Sequence, residues 1–134
     1  RGKPLGIVTT TWLTTKALRT KLDGLDVEIQ LPATVAKGKP LDGTLVVRGA
    51  DGAVVRTLEP VMGAYAHLVG FYEDRTTVEH IHPMGPEPTR ATDRGEGTLR
   101  FRTTPQKAGL MRLFAQFKLD GKERFARFTL QIAE

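Results

Sequence analysis

The chain contains no cysteine, which excludes disulfide frameworks, thiolate metal sites and cysteine nucleophiles together and leaves the redox compartment open. Serine is missing as well, so a Ser/His/Asp triad cannot be assembled, and no phosphate loop of the G-x-x-x-x-G-K type occurs. No apolar run approaches the roughly 18 residues that a transmembrane helix needs. The opening Arg1-Gly2-Lys3-Pro4 has neither an initiator Met nor the apolar core of a signal peptide. The expectation is therefore a fragment, with any signal peptide, anchor or upstream domain lying before Arg1 and the membrane reached only through such an anchor. Acidic residues are absent from residues 1–21, where Arg1, Lys3, Lys16, Arg19 and Lys21 hold the whole surplus of +5. A cationic excess confined to one leading segment argues against a nucleic-acid partner, which needs a basic folded face.

What is present fits one domain. With 134 residues, 40% hydrophobic and 26% charged, the chain can bury about two thirds of its unfolded surface around a single core. Residues 1–24 read as a basic leading segment or edge strand, in which Ile7–Thr15 favours β structure and the following basic stretch allows at most two helical turns. From Leu25 onward short strands alternate with turn chemistry: DVEIQLP, AKGKPLDG, TLVVRG, ADGA and VVRTLEP, then AHLVGFYE, the EDRT turn, TVEHIHP and a Pro/Gly-rich loop from Met84 to Gly97. TLRFRT, the TPQKAG turn, LMRLFAQFKL, the DGK hairpin and ERFARFTLQI complete the chain.

Alternation is cleanest in the second half. Leu99 and Phe101 point one way and Arg100 and Arg102 the other; Met111, Leu113, Ala115 and Phe117 share a face. Asp120-Gly121 turns that strand back into one presenting Ala126, Phe128, Leu130 and Ile132. Without crossover helices to build a parallel sheet, the pattern predicts an all-β, antiparallel sandwich of about seven or eight strands over residues 25–134. Leu99, Phe101, Leu113, Phe117, Phe128 and Leu130 are its expected core, and Arg100, Arg102, Arg112, Lys118 and Arg127 an expected polar face.

Candidate chemistry is concentrated in one stretch. All three histidines, His67, His80 and His82, lie between residues 67 and 82, with Met62 and Met84 just outside. His80 and His82 are two apart on a strand and project from the same face, with Ile81 opposite. His67 precedes the Glu73–Thr76 turn, and antiparallel pairing brings it beside one or other of them. Three imidazoles on neighbouring strands suit Cu(II) or Zn(II), and Met62 or Met84 offers a thioether suited to Cu(I). Pro83 ends the strand and leaves Met84 free to close over the site. The competing reading is two polar side chains on a solvated face, or an imidazole satisfying a backbone carbonyl. Glu59, Glu73, Asp74 and Glu79 read as solvated surface carboxylates, with Glu79 facing away from His80 by alternation.

The run from Leu58 through Pro60, Met62, Gly63 and His67-Leu68-Val69, followed by His80-Ile81-His82-Pro83 and by Arg112-Leu113-Phe114-Ala115-Gln116-Phe117, resembles small bacterial extracytoplasmic proteins of the YtkA-like group over about residues 25–134. Tyr65-Ala66 before the first histidine departs from the commoner glycine-containing form. The resemblance implies an immunoglobulin-like β-sandwich outside the cytoplasm, periplasmic or extracellular and often anchored, with an association with copper or other heavy-metal handling that marks His67, His80 and His82. The expectation is thus a non-enzymatic, extracytoplasmic metal-binding protein holding copper, or zinc, through His67, His80 and His82 with Met62 and Met84. The alternative is an interaction module of the cell envelope, with structural histidines and a protein partner.

Overall fold

The structure, a computed structural model, describes residues 15–134. They form nine strands: β1 (Thr15–Leu22), β2 (Leu25–Pro32), β3 (Leu41–Arg48), β4 (His67–Tyr72), β5 (Val78–Ile81), β6 (Pro83–Met84), β7 (Thr98–Thr103), β8 (Gly109–Leu119) and β9 (Lys122–Ile132). Two antiparallel sheets result, one ordered β1-β2-β3-β7-β6 and the other β5-β4-β8-β9, and the described residues include no helix. Each inner face is the apolar half of an alternating pattern. Val27, Ile29, Leu45, Val47, Leu99 and Phe101 from the first sheet meet Leu68, Leu113, Phe117, Phe128 and Leu130 from the second in one buried core. Burying each such side chain contributes about 1.5 to 3 kcal/mol.

Asp-Gly dipeptides show how context selects among local structures. Asp120 and Gly121 both adopt positive φ (53° and 74°), the left-handed pair of a two-residue hairpin whose twist matches its strands; β8 and β9 accordingly pair from Leu119↔Lys122 to Gly109↔Ile132. Asp23 and Gly24 do the same (52° and 79°), so the basic stretch is an edge strand of the sheet rather than a helical turn. Leu18 and Leu22 of β1 pack against the core while Arg19 and Lys21 face solvent. Residues 1–14 lie outside the described residues. Asp42-Gly43, by contrast, is no turn, and β3 runs through it. Gly43 stands opposite Phe101, whose ring occupies the space where a Cβ would sit, so the glycine serves close packing.

The expected strand VVRTLEP is also different. Val54 bridges to Arg48 in the first sheet and Glu59 to Lys118 in the second, with Leu58 fully buried between them; the segment crosses from sheet to sheet and forms no ladder of its own. A tighter crossing occurs after β5. Ile81 is the last residue paired with β4 and Pro83 already pairs with Phe101 of β7, leaving His82 alone at the corner. Proline has no N–H to continue the first ladder, so the switch falls where the chain loses a donor.

Candidate functional site on the outer face of the four-stranded sheet

Alternation along β4 puts Leu68, Gly70 and Tyr72 inside and His67, Val69 and Phe71 outside; along β5, Glu79 and Ile81 point in while Val78 and His80 point out. The turn between them sets the register. Asp74 Oδ1 accepts the N–H groups of Thr76 and Thr77, each at 2.9 Å. Its Oδ2 accepts from Thr77 Oγ1 at 2.6 Å and from Lys107 Nζ at 2.6 Å. The Lys107 ammonium, then these donors, hold its carboxyl well below the usual carboxylate range. Arg75 accepts a left-handed φ of 65° at the tip. With this turn fixed, Val69 faces His80 and Leu68 faces Ile81, and one further step sets His67 opposite His82.

Of the three imidazoles the fold therefore brings two together. The His67 and His82 rings lie 5.9 Å apart, edge to face at 75°, while His80 is exposed beside Val69. His67 is half-buried, and its Nε2 donates to the Val61 carbonyl at 2.7 Å, so that Nδ1 is the nitrogen not engaged by the backbone. Val61 itself is held by a turn whose tip, Met62-Gly63, has φ of 50° and 80°; Met62 there is 72% exposed. Met84 is not a free closing loop. It is held in β6 opposite Arg100 of the other sheet. Among the described residues no group of three or more His, Cys, Asp or Glu is placed to hold a metal ion, so the assembled unit is an imidazole pair.

Glu79, expected from sequence to be a solvated surface carboxylate, is instead buried. Only 5% exposed, its carboxylate accepts from the Tyr72 hydroxyl, from the Gln106 N–H at 2.9 Å and from Thr103 Oγ1 at 3.1 Å. The signal was available: Glu79 alternates with two outward histidines and shares its side with Ile81. Burial, then the bond to Glu79, pushes the Tyr72 phenol up to about 12. A phenol whose folded value is raised adds stability that is complete below the unfolded value near 10 and is lost as pH rises through about 12. Stability should accordingly decline across that alkaline window, and Tyr72→Phe should remove that decline. Absorbance-detected phenol titration paired with denaturation at several pH values checks both.

The two outer faces of the sandwich differ in kind. On the five-stranded sheet three arginines are paired, Arg19 with Asp26 at 3.0 Å, Arg48 with the buried Glu28 at 2.5 Å and Arg102 with Asp42 at 2.8 Å, while the exposed Arg100 and Lys21 make no ion pair among the described residues. On the four-stranded sheet, Phe71, Val78 and Phe125 are 46%, 39% and 55% exposed, and Phe71 meets Phe114 edge to face with centroids 5.7 Å apart. Arg112 and Arg127 flank Phe114 along β8 and across to β9, and neither makes an ion pair among the described residues. The single polar face expected from sequence is thus split, because Arg100 and Arg102 belong to β7 on one sheet and Arg112, Lys118 and Arg127 to the other. An open cleft of about 470 Å³ lined by Phe71, Glu73, Arg75, Leu110 and Arg112 lies at one end.

This geometry defines an antiparallel β-sandwich whose four-stranded sheet presents an apolar, cationic outer face bearing an imidazole pair. Residues 20–134 match the family model described as Domain of unknown function (DUF8832), and the chain belongs to that family. No curated protein matches the chain.

Proposed function

We propose that the chain is a non-enzymatic β-sandwich module that binds a protein partner through the outer face of its four-stranded sheet. The supporting observation is the group of exposed apolar side chains on that face, Phe71, Val78 and Phe125, beside Arg112 and Arg127, which make no ion pair among the described residues. Exposed phenylalanines beside such arginines have the composition of interface centres, in which aromatic residues and Arg are enriched, whereas scattered surface apolar residues would need no explanation. A photo-crosslinker in place of Phe71, in the producing cell, should capture a protein that the same group in place of Arg100, on the opposite sheet, does not. Equal capture from both faces, or none from position 71, would sink the proposal.

A second reading is favoured by the His67–His82 pair. Two imidazoles side by side, with Nε2 of His67 engaged by the Val61 carbonyl and Nδ1 left as its ligating atom, form a borderline-soft donor pair for Cu(II) or Zn(II). The resemblance to the YtkA-like group supports placing such a protein in the periplasm or at the cell surface, in copper handling. If this reading holds, calorimetric titration should give micromolar or tighter binding that falls steeply below about pH 6, as protons compete for the rings. His67→Ala with His82→Ala should abolish it, whereas His80→Ala should leave it within a few-fold. Binding no tighter than millimolar for both metals, or equal dependence on His80, would set the reading aside.

A further inference from the structure

We propose that the partner taken by this face is an acidic polypeptide segment, with an apolar side chain seated in the cleft between Phe71 and Leu110 and carboxylates lying over Arg112 and Arg127. The inference rests on the docking reading above and specifies its chemistry.

The pairing registers arrange the face in cross-strand rows. Val78, Phe71, Arg112 and Thr129 form one; His80, Val69, Phe114 and Arg127 form the next. These two central rows contain two arginines, a histidine and four apolar side chains, and no acid. The acids lie at the ends. Glu73 continues the outward side of β4 at the cleft, and Glu123 stands opposite Lys118 with its Oε1 already accepting from Gln116 Nε2 at 2.8 Å. Arg112 and Arg127 sit diagonally about Phe114, about 7 to 8 Å apart at their backbones by sheet geometry, so two carboxylates spaced two residues apart on an extended chain can reach both. Guanidinium groups pair with carboxylates in a forked, two-bond geometry that lysine cannot reproduce.

Charge also selects among occupants. A second copy would oppose arginine to arginine across the centre, and the leading residues Arg1 and Lys3 carry the same sign as the face. A flat sheet face with a cleft suits an extended segment better than a lipid surface, into which an apolar projection would have to insert. Like charges disfavour the first two occupants, and opposite charges favour an anionic chain.

The test uses the isotope-labelled full chain and three short synthetic peptides: alternating Glu and Phe, alternating Lys and Phe, and alternating Glu and Ser. The Glu–Phe peptide should shift the amide resonances of Phe71, Leu110, Arg112, Phe114 and Arg127, and the other two should bind at least tenfold more weakly. Arg112→Gln with Arg127→Gln should weaken the Glu–Phe peptide at least tenfold while leaving the melting temperature unchanged. If the Lys–Phe peptide binds as well, or the double variant keeps its affinity, the acidic partner is wrong and the docking face stands. If no peptide perturbs the face and position 71 captures nothing in cells, both readings fall. Self-association lost in Phe71→Ser with Phe125→Ser would assign the face to a second copy. Binding to phosphatidylserine vesicles in preference to peptide would assign it to a lipid surface, and face resonances that move when residues 1–14 are removed would assign it to the chain's own leading residues. Each of these three overturns the proposal.

Discussion

Replacing Phe117 by alanine should lower the free energy of unfolding by about 3 to 5 kcal/mol, the range for a large aromatic removed from a core that cannot collapse around the gap. Phe117 is completely buried on β8, which is held on one side by β4 and on the other by β9, so the surrounding backbone has little freedom to close the space. Domains of this size are typically stable by about 5 to 15 kcal/mol, and the variant should therefore be marginal or unfolded at elevated temperature. The same hairpin supplies the control. Phe125, on β9 and facing out, should cost less than about 0.5 kcal/mol when replaced by alanine, because it gives up little burial. Urea denaturation of both variants decides the matter: a loss below about 1 kcal/mol at Phe117, or a comparable loss at the two positions, would contradict the assignment of inner and outer faces on which the docking surface depends.

Glu79→Ala should cost about 1 to 3 kcal/mol, since it takes the acceptor from the buried Tyr72 hydroxyl and a partner from the half-buried Thr103 hydroxyl, while the Gln106 N–H keeps the Tyr72 oxygen at 3.0 Å. Glu79→Gln should be milder, about 1 kcal/mol, because an amide oxygen still accepts from the first shared donors while its NH₂ can donate to Thr103. The order of the two variants carries the information. Burying a carboxylate is costly and is recovered only through its hydrogen bonds, so a glutamine variant more stable than the parent would mean that desolvation outweighs three donors. Glu79 links β5 to Tyr72 of β4, to Thr103 of β7 and to the turn before β8. The alanine variant should therefore also loosen β5, seen as faster amide exchange at His80 and a weakened nuclear Overhauser contact between the His67 and His82 rings.

How much of this could be read from the chain itself depended on whether the deciding partner was near in sequence. The β8–β9 hairpin was legible because Asp120-Gly121 and the alternation on either side of it agree. Asp23-Gly24 carries the same turn chemistry, and of the two readings of the basic residues before it, leading segment or edge strand, the edge strand holds for Thr15–Leu22, with Leu18 and Leu22 on its inward side. Asp42-Gly43 has the composition of a turn yet lies within β3, because the reason for glycine there is Phe101 in β7, far along the chain. The sharing of a face by His80 and His82 followed from a period of two. Which of them meets His67 did not, because that depends on the length and left-handed tip of the turn at Arg75. The contrast between paired and unpaired arginines was invisible for the same reason: an ion pair such as Arg102–Asp42 needs a register between distant strands.

The position of β1 has a consequence for self-assembly. Open sheet edges offer unpaired N–H and C=O groups that recruit further strands, and proteins suppress this by covering or shortening them. Along β9 the covering is done by β1, through Thr20 Oγ1 donating to the Arg127 carbonyl at 2.6 Å and Asp23 pairing with Arg124 at 2.8 Å. The other edge of the same sheet, β5, is four residues long and is followed at once by the corner at His82 and Pro83, whose missing N–H cannot template a neighbour. Both edges of the sheet that displays the phenylalanines are thereby closed to a further strand, and truncation into β1 should expose β9 and yield thioflavin-binding aggregates that the full chain does not form under the same conditions.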